Sequence, residues 1–244
     1  FNAPAPRGNM DVGTKLAQSL ELTAIDGVYY VTGIGTVTNL NIAVPSQCDG
    51  VPVTVIAGNA FRGCRHIKSA VIPAGITGIG YGAFRDCVSL RDITVDRGVR
   101  TIGYSAFDGC KSLKSVAIPD SVEFIEQYAF RGCKSLESVI LGKGVKSIQR
   151  CAFDGCKALT ELTLNEGVTS IEYEAFSRCS GLRKISLPQS LASIRSYAFF
   201  SCVSLTEIIY AGTREKWKSV KKYLDWSANT GNYTVRCTDG DVPK

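Results

Sequence analysis

Cysteine is the residue type in this sequence whose number and spacing could most readily do chemistry. The 244-residue chain holds ten cysteines and a single histidine, His66. Thiolates and imidazoles bind zinc, and paired cysteines form disulfides in secreted proteins. Seven of the ten recur every 23 residues, at Cys64, Cys87, Cys110, Cys133, Cys156, Cys179 and Cys202. One position used seven times, with no Cys-x-x-Cys, predicts a column of buried structural thiols and disfavours a metal array.

The other three cysteines are Cys48, Cys151 and Cys237. Cys48 and Cys237 would flank a stack of about eight coils spaced ~4.8 Å apart. A disulfide needs Cα atoms within about 7 Å, so these two cannot pair within one straight stack. Cys151 occupies a position that is Gly, Ser, Tyr or Glu in other copies of the pattern. We therefore expect its side chain to be exposed.

No other group of residues forms a catalytic constellation. His66 stands where other copies have serine or alanine, which is typical of a surface residue. Gly33-Ile34-Gly35 does not resemble a phosphate loop, because no helix pattern follows it. Carboxylates are scattered without a recognisable spacing, for example at Asp108, Asp154, Glu172 and Glu174. We predict no catalytic residue, no cofactor and no metal, and hence a protein that is not an enzyme.

The elements that must position these residues repeat with a fixed period. An Ala-Phe pair begins at residues 60, 83, 106, 129, 152, 175 and 198, always 23 residues apart. A constant period in the low twenties is the signature of a stacked solenoid. The seven phenylalanines should then form an offset aromatic column inside the stack.

Within each copy, the apolar residues predict one short strand and one inward turn. Val116 and Ile118 alternate with polar residues, as expected for a strand with one buried face. Pro119 marks a turn, and Val122 and Ile125 then face inward again. Because no single copy could bury these side chains alone, we expect the copies to stack and their strands to form a parallel sheet.

Four segments follow from the extent of the repeat. Residues 1–13 read as a flexible lead-in, 14–45 as an N-terminal cap, 46–211 as the solenoid and 212–244 as a C-terminal cap. In the first cap, residues 14–22 could form a short amphipathic segment, and Val28–Gly33 and Val37–Ile42 read as a hairpin. The chain begins with Phe1, so either a targeting segment has been removed or the sequence starts inside a longer protein.

The C-terminal cap is predicted to contain a helix and a strand. The helix follows Thr213 as its N-cap, with Glu215 in its first turn. Trp217 should plug the open end of the core, and residues 233–237 should form a closing strand. We interpret Trp217 and Trp226 as anchors of the cap in preference to carbohydrate-stacking aromatics.

Composition bounds the function classes. The chain is 45% hydrophobic and 20% charged, which is typical of a soluble globular protein. Its formal charge of +6 is spread along the chain and not concentrated on one tract, so nucleic acid is not an expected partner. No apolar run is long enough to cross a bilayer. We therefore expect neither nucleic-acid binding nor membrane insertion.

The repeat unit resembles a known class. Written Cys-x-x-Leu-x-x-Ile-x-Ile-Pro-x-x-Val-x-x-Ile-x-x-x-Ala-Phe, it is clearest at Cys110–Pro119 and Gly181–Pro188. Over residues 40–211 it resembles the BspA-like (Treponema pallidum-type) leucine-rich repeats. The resemblance implies an α/β leucine-rich-repeat solenoid that is right-handed and has little helix, with one short parallel strand per repeat on its concave face. It also implies a secreted or surface protein, mostly of bacteria, and carries over no catalytic residues.

The outward strand positions are the candidate binding site, because repeat proteins commonly bind on their concave face. We expect a protein or glycan partner on a host or neighbouring cell. A passive spacer that presents another domain is the alternative, since a varied surface is also what an unselected solvent face would show. An enzyme would need a deep polar pocket, which a filled core does not readily supply. The candidate residues are Arg91, Thr94, Lys114, Ala117, Glu137, Ile140, Glu161, Thr163, Lys184 and Ser186.

A second exposed stripe consists of tyrosines. Tyrosine is enriched at protein interfaces, but it also packs well between coils, and we favour packing. The stripe comprises Tyr81, Tyr104, Tyr128, Tyr173 and Tyr197.

Overall fold

The structure, a computed structural model, describes residues 20–36 and 38–244. The predicted lead-in and the first part of the predicted amphipathic segment lie outside these residues. The described chain is a β-solenoid of about nine turns with almost no helix. In chain order its elements are β1 Glu21–Ile25, β2 Val28–Gly33, β3 Asn41–Ala43, β4 Gln47–Cys48, β5 Val51–Ile56, β6 Ser69–Ile72, β7 Gly78–Ile79, β8 Asp92–Val95, β9 Thr101–Ile102, β10 Ser115–Ala117, β11 Phe124–Ile125, β12 Ser138–Ile140, β13 Ser147–Ile148, β14 Glu161–Thr163, β15 Ser170–Ile171, β16 Lys184–Leu187, β17 Ser193–Ile194, β18 Glu207–Tyr210, α1 Arg214–Ser219, β19 Lys221–Lys222, β20 Thr234–Cys237 and β21 Gly240–Pro243.

Each coil contributes a strand to two different sheets. The first is the predicted concave sheet, whose strands pair in parallel with a shift of 23 residues, as between Val116 and Val139. The second sheet consists largely of two-residue strands, as between Ile102 and Ile125. The spacing of Val122 and Ile125 predicted only an inward turn, so the second sheet is an addition to the predicted fold.

The phenylalanine column is confirmed. All seven repeat phenylalanines are fully buried. Successive ring centroids are 4.8 to 5.6 Å apart with interplanar angles of 5° to 22°. The rings therefore stack along the solenoid axis, and the column holds the coils at a common spacing.

The turn that carries the Ala-Phe pair, residues 126–133 in the central coil, is here called the Phe turn. Backbone bonds between coils run forward there, with Phe130 N–H donating to Ala152 C=O (2.8 Å). At the start of the concave strands they run backward, with Arg183 N–H donating to Thr160 C=O (2.8 Å). Each Phe turn contains two residues with a left-handed backbone. One lies two positions before the phenylalanine and the other two positions after it, such as Tyr128 (φ 62°) and Gly132 (φ 69°).

Both sheets are interrupted near the middle of the stack. Among the described residues, the strands of the concave sheet form two hydrogen-bonded groups. One group ends at β12 and the other begins at β14. The second sheet is interrupted one coil earlier, between β11 and β13. The backbone bonds of the Phe turns continue across both interruptions.

The N-terminal cap is a hairpin, but the predicted pair of strands was wrong. β2 pairs antiparallel with β1 through a turn at Asp26-Gly27, where both residues have positive φ. Such a pair matches the tight turns that suit hairpins. β3 instead joins the concave sheet by pairing in parallel with β6. Glu21 and Leu22, predicted to end an amphipathic segment, lie in β1.

The C-terminal cap closes the core as predicted. Thr213 Oγ1 accepts a hydrogen bond from Lys216 N–H, which confirms it as the N-cap of α1. Trp217 is buried, with its ring centroid 5.2 Å from that of Tyr210. Trp226 packs edge-on against Phe199 and so ends the phenylalanine column. The closing strand is β20, and the unpredicted β21 adds an antiparallel edge beside it.

Candidate functional site

The structure brings the ten predicted binding residues together on the outer surface of the concave sheet. The alternation predicted for the strands holds, since Val116, Val139 and Leu162 are buried beneath them. Thr163 lies beside Ser186 and Glu161 beside Lys184 in paired strands. They lie in three adjacent rows, namely Arg91, Lys114 and Glu137; Glu161 and Lys184; and Thr94, Ala117, Ile140, Thr163 and Ser186.

Ile140 is the most exposed large aliphatic side chain on this surface, at 69%. Val71, at the equivalent position three strands away, is also exposed. Lys184 and Ser186 are half-buried, whereas the other eight candidates are exposed.

Glu137 and Glu207 on this surface each have a basic partner on a neighbouring strand. Lys114 Nζ lies 3.9 Å from Glu137 Oε1. Glu207 contacts both Lys184 (3.5 Å) and Arg236 (2.6 Å). Exposed pairs of this kind contribute only about 0–1 kcal/mol to stability. Glu161 and Asp92, which lie in the same row, form no ion pair within 4.0 Å in the part of the chain that the structure describes.

The interruption of the concave sheet opens a cleft between β12 and β14. Glu137 N–H donates to Lys114 C=O and Arg183 N–H to Thr160 C=O, both at 2.8 Å. The equivalent bond, from Thr160 N–H to Glu137 C=O, is absent within residues 38–244. The resulting cleft has a volume of about 260 Å³, and it is lined by Ser138, Val139, Ile140, Leu141, Glu161, Leu162, Thr163 and Asn165.

Asn165 marks this junction in the sequence. Its side-chain amide donates to Leu141 C=O, whereas two other coils place a backbone amide there, from Asp96 N–H to Ile72 C=O and from Ala211 N–H to Leu187 C=O (both 3.0 Å). The positions equivalent to Asn165 hold Pro73, Asp96, Pro119, Gly142 and Pro188. The asparagine was therefore the one available signal for the cleft, and the sequence analysis missed it.

The carboxylates on the Phe turns form ion pairs between coils, which the sequence analysis also missed. Asp108, almost fully buried, accepts hydrogen bonds from Arg131 Nε (3.0 Å) and Nη2 (2.7 Å). The same interaction raises the pKa of Arg131. Asp154 is held in the same way by Arg178. These carboxylates are engaged by guanidinium groups, so they serve packing between coils and not acid–base chemistry.

The cysteine column is a structural element, as predicted. Six of its seven members are buried, and Cys64 is half-buried. Each buried thiol donates to the carbonyl oxygen of the phenylalanine 26 residues earlier, at 3.0 to 3.3 Å. Burial raises the pKa of Cys87 and of Cys202 to about 12. Neutral thiols are poor nucleophiles and metal ligands, and the described residues contain no cluster of three or more potential ligands.

The expectation that Cys151 is exposed was wrong. Its side chain is only 3% exposed and donates to a Glu174 carboxylate oxygen at 3.3 Å. Burial, together with that hydrogen bond, raises its pKa to about 11. The equivalent Tyr128, Glu174 and Tyr197 are half-buried and Ser105 is buried, so this position does not point freely to solvent.

The tyrosine stripe packs between coils, as favoured from the sequence. Tyr81 and Tyr104 have ring centroids 5.6 Å apart, and Tyr104 and Tyr128 are 5.2 Å apart. Arg150 fills the next position, with its guanidinium carbon 6.0 Å from the Tyr128 centroid and 5.2 Å from that of Tyr173. The groups therefore contact one another along the axis, although Tyr81, Tyr104 and Tyr173 remain partly exposed.

Comparisons with known proteins agree with this geometry. The sequence profile described as the BspA type leucine rich repeat region matches in six copies over residues 54–157 and 100–223. A search of curated proteins found no match. The described residues include no helix with the length and apolar character to span a bilayer.

Two solved structures show the same fold. The leucine-rich repeat protein of T. pallidum is 23% identical, with 79% of each chain covered and a TM-score of 0.54. A leucine-rich repeat protein from Bacteroides ovatus is also 23% identical, with 88% of this chain and 70% of that chain covered and a TM-score of 0.56. Together with the matched profile, the repeat of 23 residues and the two-sheet coil show that this chain belongs to the BspA-type leucine-rich repeat family.

Proposed function

We propose that this chain is a secreted or cell-surface binding module that recognises a protein or glycan partner on its concave sheet and carries out no catalysis. The observation that carries the proposal is the contrast between the two sides of that sheet. Its inner positions are aliphatic apart from Tyr210, whereas the outer positions differ from coil to coil in charge, size and polarity. Stacked repeats commonly bind on such an extended face.

Two features support a location outside the cell. Membership of the BspA-type family favours a secreted or surface protein. The cysteines are also compatible with an oxidising environment, because most of the thiols are buried, and burial raises their pKa. A buried neutral thiol reacts slowly with oxidants and disulfides.

The test is a binding screen against extracellular-matrix proteins and a glycan array, followed by charge reversal. A variant carrying Arg91→Glu, Lys114→Glu, Glu137→Lys and Lys184→Glu should lose at least about tenfold in affinity for the partner found. A matched control carries Arg100→Glu, Lys143→Glu, Glu123→Lys and Lys146→Glu, which change the net charge equally away from the concave sheet. Equal binding by both variants would reject the concave face as the binding surface.

The alternative is a passive spacer that presents another domain. The cross-strand pairs Lys114–Glu137 and Lys184–Glu207 favour it, because paired surface charges need no partner. A spacer should show no ligand in the same screen.

A further inference from the structure

The interruption between β12 and β14 leaves main-chain groups without their usual partners. Thr160 N–H and Glu137 C=O lie at facing edges, and neither forms the bond that joins the corresponding groups elsewhere in the sheet. Backbone groups of this kind are nearly always paired with protein, water or ligand. At the cleft itself, Leu141 N–H does not donate to Thr163 C=O among the described residues, although the equivalent Leu164 N–H donates to Ser186 C=O at 2.9 Å. The cleft therefore offers one donor and one acceptor in the middle of the concave sheet and not at its rim.

The lining of the cleft is suited to a long side chain. Val139, Leu141 and Leu162 form an apolar floor, and Ile140 stands exposed at the entrance. The volume of about 260 Å³ is below the ~300–1,000 Å³ of typical small-molecule sites. Asn165 bridges to Leu141 C=O and so limits the cleft on that side. One side chain fits this space better than a cofactor or a sugar ring.

The charge at the cleft is negative. Glu161 lines it and forms no ion pair among the described residues. Lys184, its neighbour on β16, is instead 3.5 Å from Glu207. A lysine or arginine would place its aliphatic stem on Ile140 and its cationic head against Glu161, with Thr163 C=O as a second acceptor. An acidic glycan would be repelled at the same point.

We propose that this cleft is the specificity subsite of the concave sheet and that it takes a lysine or arginine side chain from an extended segment of a partner protein. This inference rests on the proposed function and names the class of partner. The extended segment would lie across the sheet, and its main chain would meet the free edge groups of β12 and β14.

The test uses blocked peptides titrated into the ¹⁵N-labelled chain and followed by amide shifts. The probes are acetyl-Val-Thr-Val-X-Thr-Val-amide in which X is arginine, lysine, citrulline or norleucine. We expect the two basic peptides to shift the amides of Ile140, Thr160 and Glu161 in a saturable way. Citrulline keeps the shape of arginine without its charge and should bind at least about tenfold more weakly.

Two variants locate the interaction. Glu161→Gln should weaken binding of the arginine peptide about tenfold, and Ile140→Ser should also weaken it. Glu215→Gln, which removes an exposed carboxylate on α1, is the matched control and should have no effect. Ile140 and Glu161 are exposed, so thermal melts should confirm that both cleft variants remain folded.

The outcomes separate this inference from the proposed function. Equal affinity for the arginine and citrulline peptides, or unchanged binding by Glu161→Gln, would overturn the basic-side-chain subsite. If a screened partner is lost in the fourfold charge-reversal variant but binds Glu161→Gln normally, the concave face stands and the subsite fails. Preferential binding of an acidic glycan at the cleft would also overturn it.

Discussion

Cysteine suits its position in the repeat because it satisfies a carbonyl without adding bulk. Phe107 C=O accepts the N–H of Cys110 at 3.1 Å and the thiol of Cys133 at 3.2 Å. Alanine in place of Cys133 would leave the second lone pair of Phe107 C=O without a donor. Serine would provide a donor, but burying its hydroxyl would cost more free energy than burying a thiol. A small side chain with a weak S–H donor meets both needs.

The phenylalanine column yields a prediction at the same scale. Phe130→Ala should lower the free energy of unfolding by about 3–5 kcal/mol, because it leaves a cavity between Phe107 and Phe153. Phe124→Ala is the matched control, since Phe124 is 57% exposed on the second sheet and should cost less than about 1 kcal/mol. Urea unfolding measures both changes. Similar losses in the two variants would contradict the assignment of Phe130 to the core.

The 23-residue spacing predicted the phenylalanine and cysteine columns, but it did not predict the burial of Cys151. Phe107 and Cys110 could be placed because identical residues recur every 23 positions. Cys151 could not, because its position requires a left-handed backbone (φ 53°) and sets no requirement for burial. Its burial depends on the neighbouring Glu174, which is a property of the assembled stack.

At the scale of the element, some turns require glycine because the backbone of the neighbouring coil leaves no room for a Cβ. Gly98 has φ 156°, and a Cβ there would lie 2.0 Å from Ala74 O. Gly78 has no such restriction, with no atom within 4 Å of an added Cβ. The positions equivalent to Gly78 hold Thr101 and Ser147. The two glycines therefore have different roles although both lie in the same repeated framework.

A paired substitution tests this difference. Gly98→Ala should reduce the free energy of unfolding by about 1–3 kcal/mol through backbone strain and displacement of the Ala74 carbonyl. Gly78→Ala should be neutral or stabilising by up to about 1 kcal/mol, since it restricts the unfolded chain. Thermal and urea unfolding report both values. A Gly98→Ala variant as stable as Gly78→Ala would show that the turn can relax at no cost.

Strands inside the repeat were predictable because period-2 alternation and turn residues recur in register. The N-terminal hairpin was not, because two glycine-containing turns compete there. The Asp26-Gly27 pair forms the hairpin turn, whereas the segment containing Gly33 and Gly35 leads to a parallel strand. Only the pairing of β3 with β6, a contact between distant residues, decides between these possibilities.

At the scale of the whole molecule, the buried thiols should make stability depend on alkaline pH. Burial raises the pKa of Cys87 and Cys202 from about 9 to about 12, and it raises those of the other buried column members as well. The unfolded chain then binds fewer protons than the folded one. This contribution is complete below pH 9 and is lost as pH rises towards 12.

The measurement is the urea midpoint as a function of pH between 8 and 10.5. Each buried thiol should contribute a slope of up to about 1.4 kcal/mol per pH unit once its unfolded form is ionised. In Cys133→Ala, the free energy of unfolding should fall less steeply with pH, because the contribution of one buried thiol to the slope is removed. This holds whatever the variant's stability at pH 8. Parallel curves for the two proteins would show that the thiols ionise without unfolding.

The architecture of the whole chain follows from the constant period, but the cleft does not. β12 and β14 have the same alternation as the strands on either side of them, so the separation between them cannot be predicted from the local pattern. Asn165 bridges the opening, yet an asparagine in a turn has many other uses.

The two interrupted sheets have a mechanical consequence. Around the coil that contains β12 and β13, each sheet lacks one set of interstrand bonds, while the Phe turns remain joined throughout. At this level, tension applied along the solenoid axis would therefore be carried mainly by the hydrogen bonds between Phe turns, on one side of the stack. Under such a load we expect the chain to yield first at this level and to bend about the continuous line of Phe turns.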